Sequence, residues 1–271
     1  MPQPPKNLKD IQSLIQIIAD LRGPDGCPWD KEQTHQSLAP YAIEEVHELV
    51  EALESTDENH MCEELGDVLF QVVLHSQLAS ERNAFTMNDV VFSIASKIVR
   101  RHPHVFSDLK VSGIDEIFKN WDEIKKLEKK QSPKKMKVID VPEGLPALQR
   151  AHKIGEKTGK LNFDWLKIPD VLRQLKAEIT ELEEAMAEPH SEEKQKHLQH
   201  EIGDVLFSAA QLSRHLQLEP ESSLREANRR FLKRFETMLI LGKINADEFK
   251  NLSSESKEKL WNDAKKECQI K

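Results

Sequence analysis

The sequence predicts an all-α protein made of two tandem helical-bundle modules, about four helices each, and three observations lead there. Only 9 of 271 residues are glycine and 6% are aromatic, a balance poor in turn and sheet formers and suited to helices. Apolar residues recur at three- and four-residue steps through most of the chain. The chain also repeats itself. Glu45-x-x-Glu48 followed by Glu64-Leu65-Gly66-Asp67-Val68-Leu69-Phe70 returns as Glu178-x-x-Glu181 followed by Glu201-Ile202-Gly203-Asp204-Val205-Leu206-Phe207, at offsets of 133 and 137 residues. Further on, Lys97-Ile98-Val99-Arg100-Arg101 returns as Arg230-Phe231-Leu232-Lys233-Arg234, and Trp121 returns as Trp261. Landmarks in one order at near-constant spacing mark a duplicated structural unit.

The first copy, expected over residues 8–127, opens with a turn-rich Gly23-Pro24-Asp25-Gly26-Cys27-Pro28 loop and Trp29. Ile43, Val46, Leu49, Val50 and Leu53 then describe an amphipathic helix, broken at Ser55–Asn59. The next helix carries Leu65, Val68, Leu69, Val72, Val73, Leu74 and Leu78 over most of its circumference and is expected to be the buried central one. A third helix, capped at Asn88-Asp89, runs to Arg101 and stops at Pro103; a fourth spans Ile114 to Lys130. Residues 128–146 hold Pro133, Pro142 and Pro146 beside a lysine cluster, and read as a linker. The second copy, residues 147–267, repeats the scheme with helices over 171–187, 198–218, 223–241 and 250–268. Loops this short make neighbouring helices antiparallel.

Charge and cysteine content narrow the function classes. The 39 basic and 47 acidic side chains leave a net charge of −8, which disfavours a general nucleic-acid or anionic-membrane binder. No stretch of some eighteen apolar residues is available to span a bilayer, and the N-terminus lacks an apolar leader segment. Cys27, Cys62 and Cys268 form no C-x-x-C pair and suit a reducing compartment. The expected location is the cytoplasm.

Residues three apart lie on the same side of a helix, one turn from each other. Glu45 and Glu48 therefore project together, as do Glu64 and Asp67 on the next helix, and antiparallel packing brings all four into one small volume. Glu178, Glu181, Glu201 and Asp204 repeat the arrangement. Four carboxylates at close range repel, and burial without partners is costly. A divalent cation relieves both problems. An all-oxygen donor set points to Mg²⁺, with Mn²⁺ as an alternative. One E-x-x-E among 47 acids reads as surface charge; two quartets at matching repeat positions read as metal sites. Each module also carries cations on its third helix: Lys97, Arg100 and Arg101, then Arg230, Lys233 and Arg234. Arg230 and Arg234, four apart, can reach one polyanion. Trp121 and Trp261 are candidates to stack on a base. No Gly-rich phosphate loop supports a kinase or motor.

Glu44-Glu45-x-x-Glu48 with Glu64-x-x-Asp67, Gly26-Cys27-Pro28-Trp29-Asp30 and Arg100-Arg101-His102-Pro103-His104-Val105-Phe106 resemble the MazG family of nucleoside triphosphate pyrophosphohydrolases, in its full-length two-module form. The resemblance runs from about Leu8 to Glu267. It implies an all-α homodimer that hydrolyses NTP to NMP and pyrophosphate; a water activated by quartet-held Mg²⁺ and attacking the α-phosphorus is the mechanism expected from the carboxylates. Carried over, it implies that Glu178, Glu181, Glu201 and Asp204 hold Mg²⁺, that Arg230 and Arg234 grip phosphates, and that Trp261 lines the nucleotide pocket. Glu45, Glu48, Glu64, Asp67, Lys97, Arg101 and Trp121 match in the first module. Ala177 departs from the pattern, replacing the first glutamate of E-E-x-x-E in the second copy. The resemblance points to the C-terminal module as the main active site. The competing reading is a non-catalytic, nucleotide-sensing regulatory scaffold that keeps the metal quartets.

Overall fold

The computed structural model describes residues 1–130 and 138–269. The described residues form thirteen helices and no strand. Their contacts divide the chain into two compact units, Met1–Pro133 and Lys134–Lys271. The middle of the expected linker, residues 131–137, lies outside the described residues; Val138 to Pro146 is non-helical.

The first unit contains α1 (Ile11–Arg22), a short α2 (Pro28–Glu32), α3 (His35–Ser55), α4 (Glu58–Glu81), α5 (Met87–Arg101), a single turn α6 (Pro103–Phe106) and α7 (Ile114–Lys130). Helix α4 sits in the middle, touching α1, α3 and α5, while α7 packs on α5. Ile18, Leu38, Val73, Leu74 and Leu78 form the core, backed by Leu14, Ile15, Phe70 and Met87. Local chemistry fixes the ends of these helices. Thr34 opens α3 with a reciprocal capping box to Ser37. Thr56 turns left-handed (φ 63°) after α3, and Asp57 at once accepts from the amides of Asn59 and Asn59's neighbour His60 to start α4. A two-residue connection leaves α4 no course but back along α3.

The second unit contains α8 (Ala147–Gly159), α9 (Ile168–Ala187), α10 (Glu192–His215), α11 (Pro220–Gly242), a short α12 (Ala246–Lys250) and α13 (Ser254–Gln269). Helix α10 is the counterpart of α4 and touches α8, α9 and α11; α13 packs on α11. The four extra residues between the carboxylate pairs of this copy are absorbed by a longer α9–α10 connection and an earlier start to α10. The unit's buried apolar residues are mostly small, among them Ala151, Ala185, Ala210 and Ala264. Gln211 takes a core position instead, 0% exposed. Its Nε2 donates to the Ala151 carbonyl at 2.7 Å and its Oε1 accepts from Arg214 Nε at 2.8 Å. Gly155 makes this possible, since a Cβ there would lie 1.9 Å from Gln211 Oε1. Arg214 in turn forks onto Asp164 at 2.6 and 2.8 Å, and His215 Nε2 meets the same carboxylate at 2.9 Å.

The structure corrects several sequence expectations. The opening helix of each unit, α1 and α8, was missing from a four-helix scheme, although Ile11, Leu14, Ile15, Ile18 and Leu21 carry the helical spacing plainly. The third helix begins at Met87, because Thr86 and Asp89 form the capping box and Asn88 lies inside. Helix α11 begins at Pro220 rather than at Ser223, with Glu219 as its cap, since proline is well suited to the first helical turn. The last helix starts at Ser254, with residues 246–250 forming a separate turn. Helix α4 is central but not buried all round: Leu65, Leu69 and Val72 remain exposed.

Asp164 is held at about 2, against an ordinary 3.8, chiefly by the Arg214 hydrogen bonds working against burial, with His215 adding to them. A depressed carboxylate stabilises the fold above its unfolded value and loses that contribution as pH falls through the folded one. Asp164→Asn therefore lowers the thermal midpoint at neutral pH. Circular-dichroism melts of the variant and the natural chain should converge as pH drops from 3.8 toward 2; a gap that persists there would contradict the assignment.

Candidate functional site

The antiparallel course of α3 and α4 sets residues equidistant from the Thr56–Asp57 turn level with one another. Glu48 and Glu64 are near one level, Glu45 and Asp67 one turn further out. The carboxylate oxygens of Glu45, Glu48 and Glu64 accordingly lie within 4.8 Å of one another. Glu64 is only 7% exposed. One of its oxygens faces His60 Nε2 at 3.2 Å and the other is buried with no hydrogen-bond partner. Glu45 accepts from Gln71 Nε2 at 3.4 Å. Its carboxyl is pushed above the ordinary range by burial, against the Gln71 hydrogen bond, with Asp67, Glu48 and Glu44 adding repulsion. Asp67 thus acts on the cluster electrostatically without belonging to its tightest group.

The second unit repeats the geometry. Oxygens of Glu178, Glu181 and Glu201 lie within 4.8 Å of one another, and a second group joins His200, Glu201 and Asp204. Glu201 is 4% exposed. Its Oε1 meets His197 Nε2 and His200 Nδ1, both at 3.1 Å, while its Oε2 is buried and unpartnered. His200 also faces Asp204 at 3.4 Å. The Glu201 hydrogen bond, then Asp204 and Glu178, raise the His200 pKa above its ordinary 6.5. Gln174 Nε2 donates to Glu178 at 2.8 Å.

A buried carboxylate with one oxygen lacking a donor, gathered with two more glutamates, is an expensive arrangement. It recurs at the same place in both copies. Hard oxygen donors at this spacing fit a divalent cation of the Mg²⁺ or Mn²⁺ type. The histidines escaped the sequence reading. His60 and His197 each stand four residues before the buried glutamate, at the same repeat offset of 137, so aligning the copies would have exposed them.

The cations and tryptophans are placed less uniformly. Arg100 and Arg101 are both paired with Glu128 of α7, and Lys97 is half-buried. On α11, Arg230 reaches Glu226 at 3.1 Å, Lys233 is exposed, and the buried Nε of Arg234 has no hydrogen-bond partner. Trp261 is half-buried against Phe231 at 5.1 Å between ring centres, with Lys265 Nζ 5.8 Å from its ring. Trp121 sits between His102 and Phe118, at 5.1 and 5.7 Å, and its buried indole nitrogen lacks a partner. A cavity of about 410 Å³ in the second unit, lined by Phe163, Trp165, Phe207 and Gln211 among others, was not foreseen. Phe207 stands one turn after Asp204 on α10, so the cavity adjoins the carboxylate stripe along that helix.

The family model for the MazG nucleotide pyrophosphohydrolase domain matches the chain twice, over residues 33–106 and 169–238. Both matches contain a carboxylate quartet and its third-helix cations. The chain is 41% identical over 255 residues to the nucleoside triphosphate pyrophosphohydrolase/pyrophosphatase MazG of Thermotoga maritima, covering 94% of this chain and 95% of that protein. It is 37% identical over 261 residues to the nucleoside triphosphate pyrophosphohydrolase of Escherichia coli K12, covering 96% and 98%. It is also 44% identical over 257 residues to the uncharacterised protein YabN of Bacillus subtilis, covering 94% of this chain and 52% of that longer protein.

Proposed function

The chain belongs to the MazG family of nucleotide pyrophosphohydrolases, and on that premise we propose that it is a Mg²⁺-dependent hydrolase that converts nucleoside triphosphates to nucleoside monophosphates and pyrophosphate. The observation that carries the proposal is the burial of Glu201, and of Glu64 in the other copy, each with one oxygen that has no hydrogen-bond partner and each gathered with two further glutamates. In the second unit Glu178, Glu181, Glu201 and Asp204 would hold the cation; in the first, Glu45, Glu48, Glu64 and Asp67. A divalent cation bound there supplies Lewis acidity toward the α-phosphoryl oxygens and makes a nearby water more acidic.

The chain's own groups account for the rest of the reaction. The carboxylates orient the attacking water and accept its proton. The oxygen of that water bonds to the α-phosphorus as the bond to the bridging α–β oxygen breaks. Arg230, Lys233 and Arg234 offer positive charge to the departing pyrophosphate, the electrostatic role that dominates phosphoryl chemistry. The unpartnered Arg234 Nε supports that role. The apolar, aromatic-lined cavity beside Phe207 suits the nucleoside end, with Trp261 nearer the phosphate-binding helix.

We further take the assembly to be a homodimer. Ile43, Val46, Leu53, Leu65, Leu69 and Phe92 (the last 73% exposed) are apolar side chains left exposed on α3–α5, a surface that a second copy would cover. No helix among the described residues is long and apolar enough to cross a membrane. The three cysteines are free, in keeping with the reducing cytoplasm as the proposed location.

Incubation with a panel of NTPs and dNTPs should yield NMP and pyrophosphate with Mg²⁺ and nothing with EDTA. NDP and phosphate would move attack to the terminal phosphorus, and Mg²⁺-dependent binding without turnover would leave a nucleotide-sensing scaffold. With the first module's quartet also disabled, Glu201→Gln or Asp204→Asn should cut kcat by roughly a hundredfold or more while the fold survives. Mg²⁺ should raise the thermal midpoint of the natural chain by mass action on the folded state. Glu64→Gln combined with Glu201→Gln should erase that rise, and an undiminished rise would place the cation elsewhere. Sedimentation at micromolar concentration should give a dimer; a monomer would require another explanation for the exposed apolar face.

A further inference from the structure

The two copies treat their third-helix cations differently. In the first unit both oxygens of Glu128, on α7, are engaged. Oε1 accepts from Arg100 at 2.6 and 2.8 Å, and Oε2 accepts from Arg101 Nη2 at 2.6 Å. Glu128 is 22% exposed at the side chain and Arg101 28%, so this is no fully solvated surface pair of negligible consequence. The Arg101 hydrogen bond, against burial and with Arg100 in support, holds the Glu128 carboxyl at about 2.

In the second unit the offset of 133 residues sets Lys233 and Arg234 where Arg100 and Arg101 stand, and the offset of 140 that relates Trp121 to Trp261 sets Cys268 where Glu128 stands. Cys268 Sγ lies 3.5 Å from Thr237 Oγ1, one turn beyond Arg234 on α11. Among the described residues no acidic side chain of α13 pairs with Lys233 or Arg234, and Cys268 meets α11 one turn further along. Arg234 keeps a buried, unpartnered Nε, and Arg230 is tied only through Glu226 of its own helix among the described contacts.

We infer that Glu128 is an internal anion that occupies the arginines through which the first module would otherwise hold a polyphosphate, and so directs nucleoside triphosphate to the second module. The inference rests on the phosphate-binding role proposed above for these cations. A triphosphate entering the first module must displace a carboxylate from two charge-assisted pairs, or settle beside it and suffer its repulsion. At Arg234 it meets no such competitor.

The test uses the full chain with the second module's grip removed by Glu201→Gln, Arg230→Ala and Arg234→Ala, so that binding reports on the first. Inorganic tripolyphosphate with Mg²⁺ is titrated calorimetrically, with and without Glu128→Gln. The substitution should tighten binding by roughly tenfold or more, as expected when a competing charge leaves a binding site. If Glu128 were only a structural tie between α5 and α7, affinity would stay the same or fall, and the inference would be overturned. The converse variant, Cys268→Glu in the otherwise natural chain, guards against a Glu128→Gln chain that does not fold. It should raise KM for NTP with kcat little changed and weaken tripolyphosphate binding; an unaltered KM would also overturn the inference. Turnover by the natural chain is assayed separately. Glu128-dependent tripolyphosphate binding in a chain without turnover would uphold the inference while removing the proposed reaction. Turnover combined with binding indifferent to Glu128 would do the reverse.

Discussion

Like charges held within a few ångströms of one another in a partly dry environment raise the free energy of any fold that contains them, and each unit of this protein is organised around tolerating that strain. The glutamates of α3 and α4 converge on Glu64, and those of α9 and α10 on Glu201. Each buried glutamate retains an oxygen with no donor. Histidines four residues upstream, His60 and His197, answer one oxygen and not the other. The arrangement persists because the helices that carry it are fixed by contacts elsewhere. In the first unit Leu74 and Leu78 anchor the far end of α4 against Ile18 and Leu38. In the second, Gln211 and Arg214 lock the far end of α10 to α8 and Asp164 through polar pairs. The two copies thus hold the same carboxylate geometry with different chemistry behind it, one apolar and one hydrogen-bonded.

That difference extends to the cations. Duplication produced two related helices, α5 and α11, each carrying a cluster of basic side chains, at the C-terminal end of α5 and in the middle of α11. The neighbouring helix then decides what those side chains are free to do. Glu128 pairs with both Arg100 and Arg101, whereas Arg234 keeps an unpartnered nitrogen. On the inference drawn above, a single position on a supporting helix separates the tasks of two modules whose carboxylate clusters are nearly identical. The aromatic-lined cavity lies in the same second unit, between α8, α10 and the loop around Trp165.

Much of this was legible in the chain itself. The all-α class, the duplication, the order of the main helices and the pairing of Glu45 with Glu48 or Glu201 with Asp204 follow from periodicity, because a helix converts a spacing of three or four residues directly into a shared face. The family could be read for the same reason, since its motif is a set of short spacings. Helix starts were less legible: Thr86, Glu219 and Ser253's neighbour Ser254 were passed over because caps and first-turn prolines act through one or two local bonds that compete with equally plausible neighbours.

What the sequence by itself determined is therefore the set of faces each helix presents and the fact that they come twice. Tertiary structure alone decided which groups meet across helices: Glu128 with Arg100 and Arg101, Gln211 with Ala151, Asp164 with Arg214, and Glu64 and Glu201 as the buried members of their clusters. Such pairs span 27 to 60 residues of chain. No local spacing encodes them, because they depend on where a turn returns the chain and on how deeply the returning helix sinks into the core.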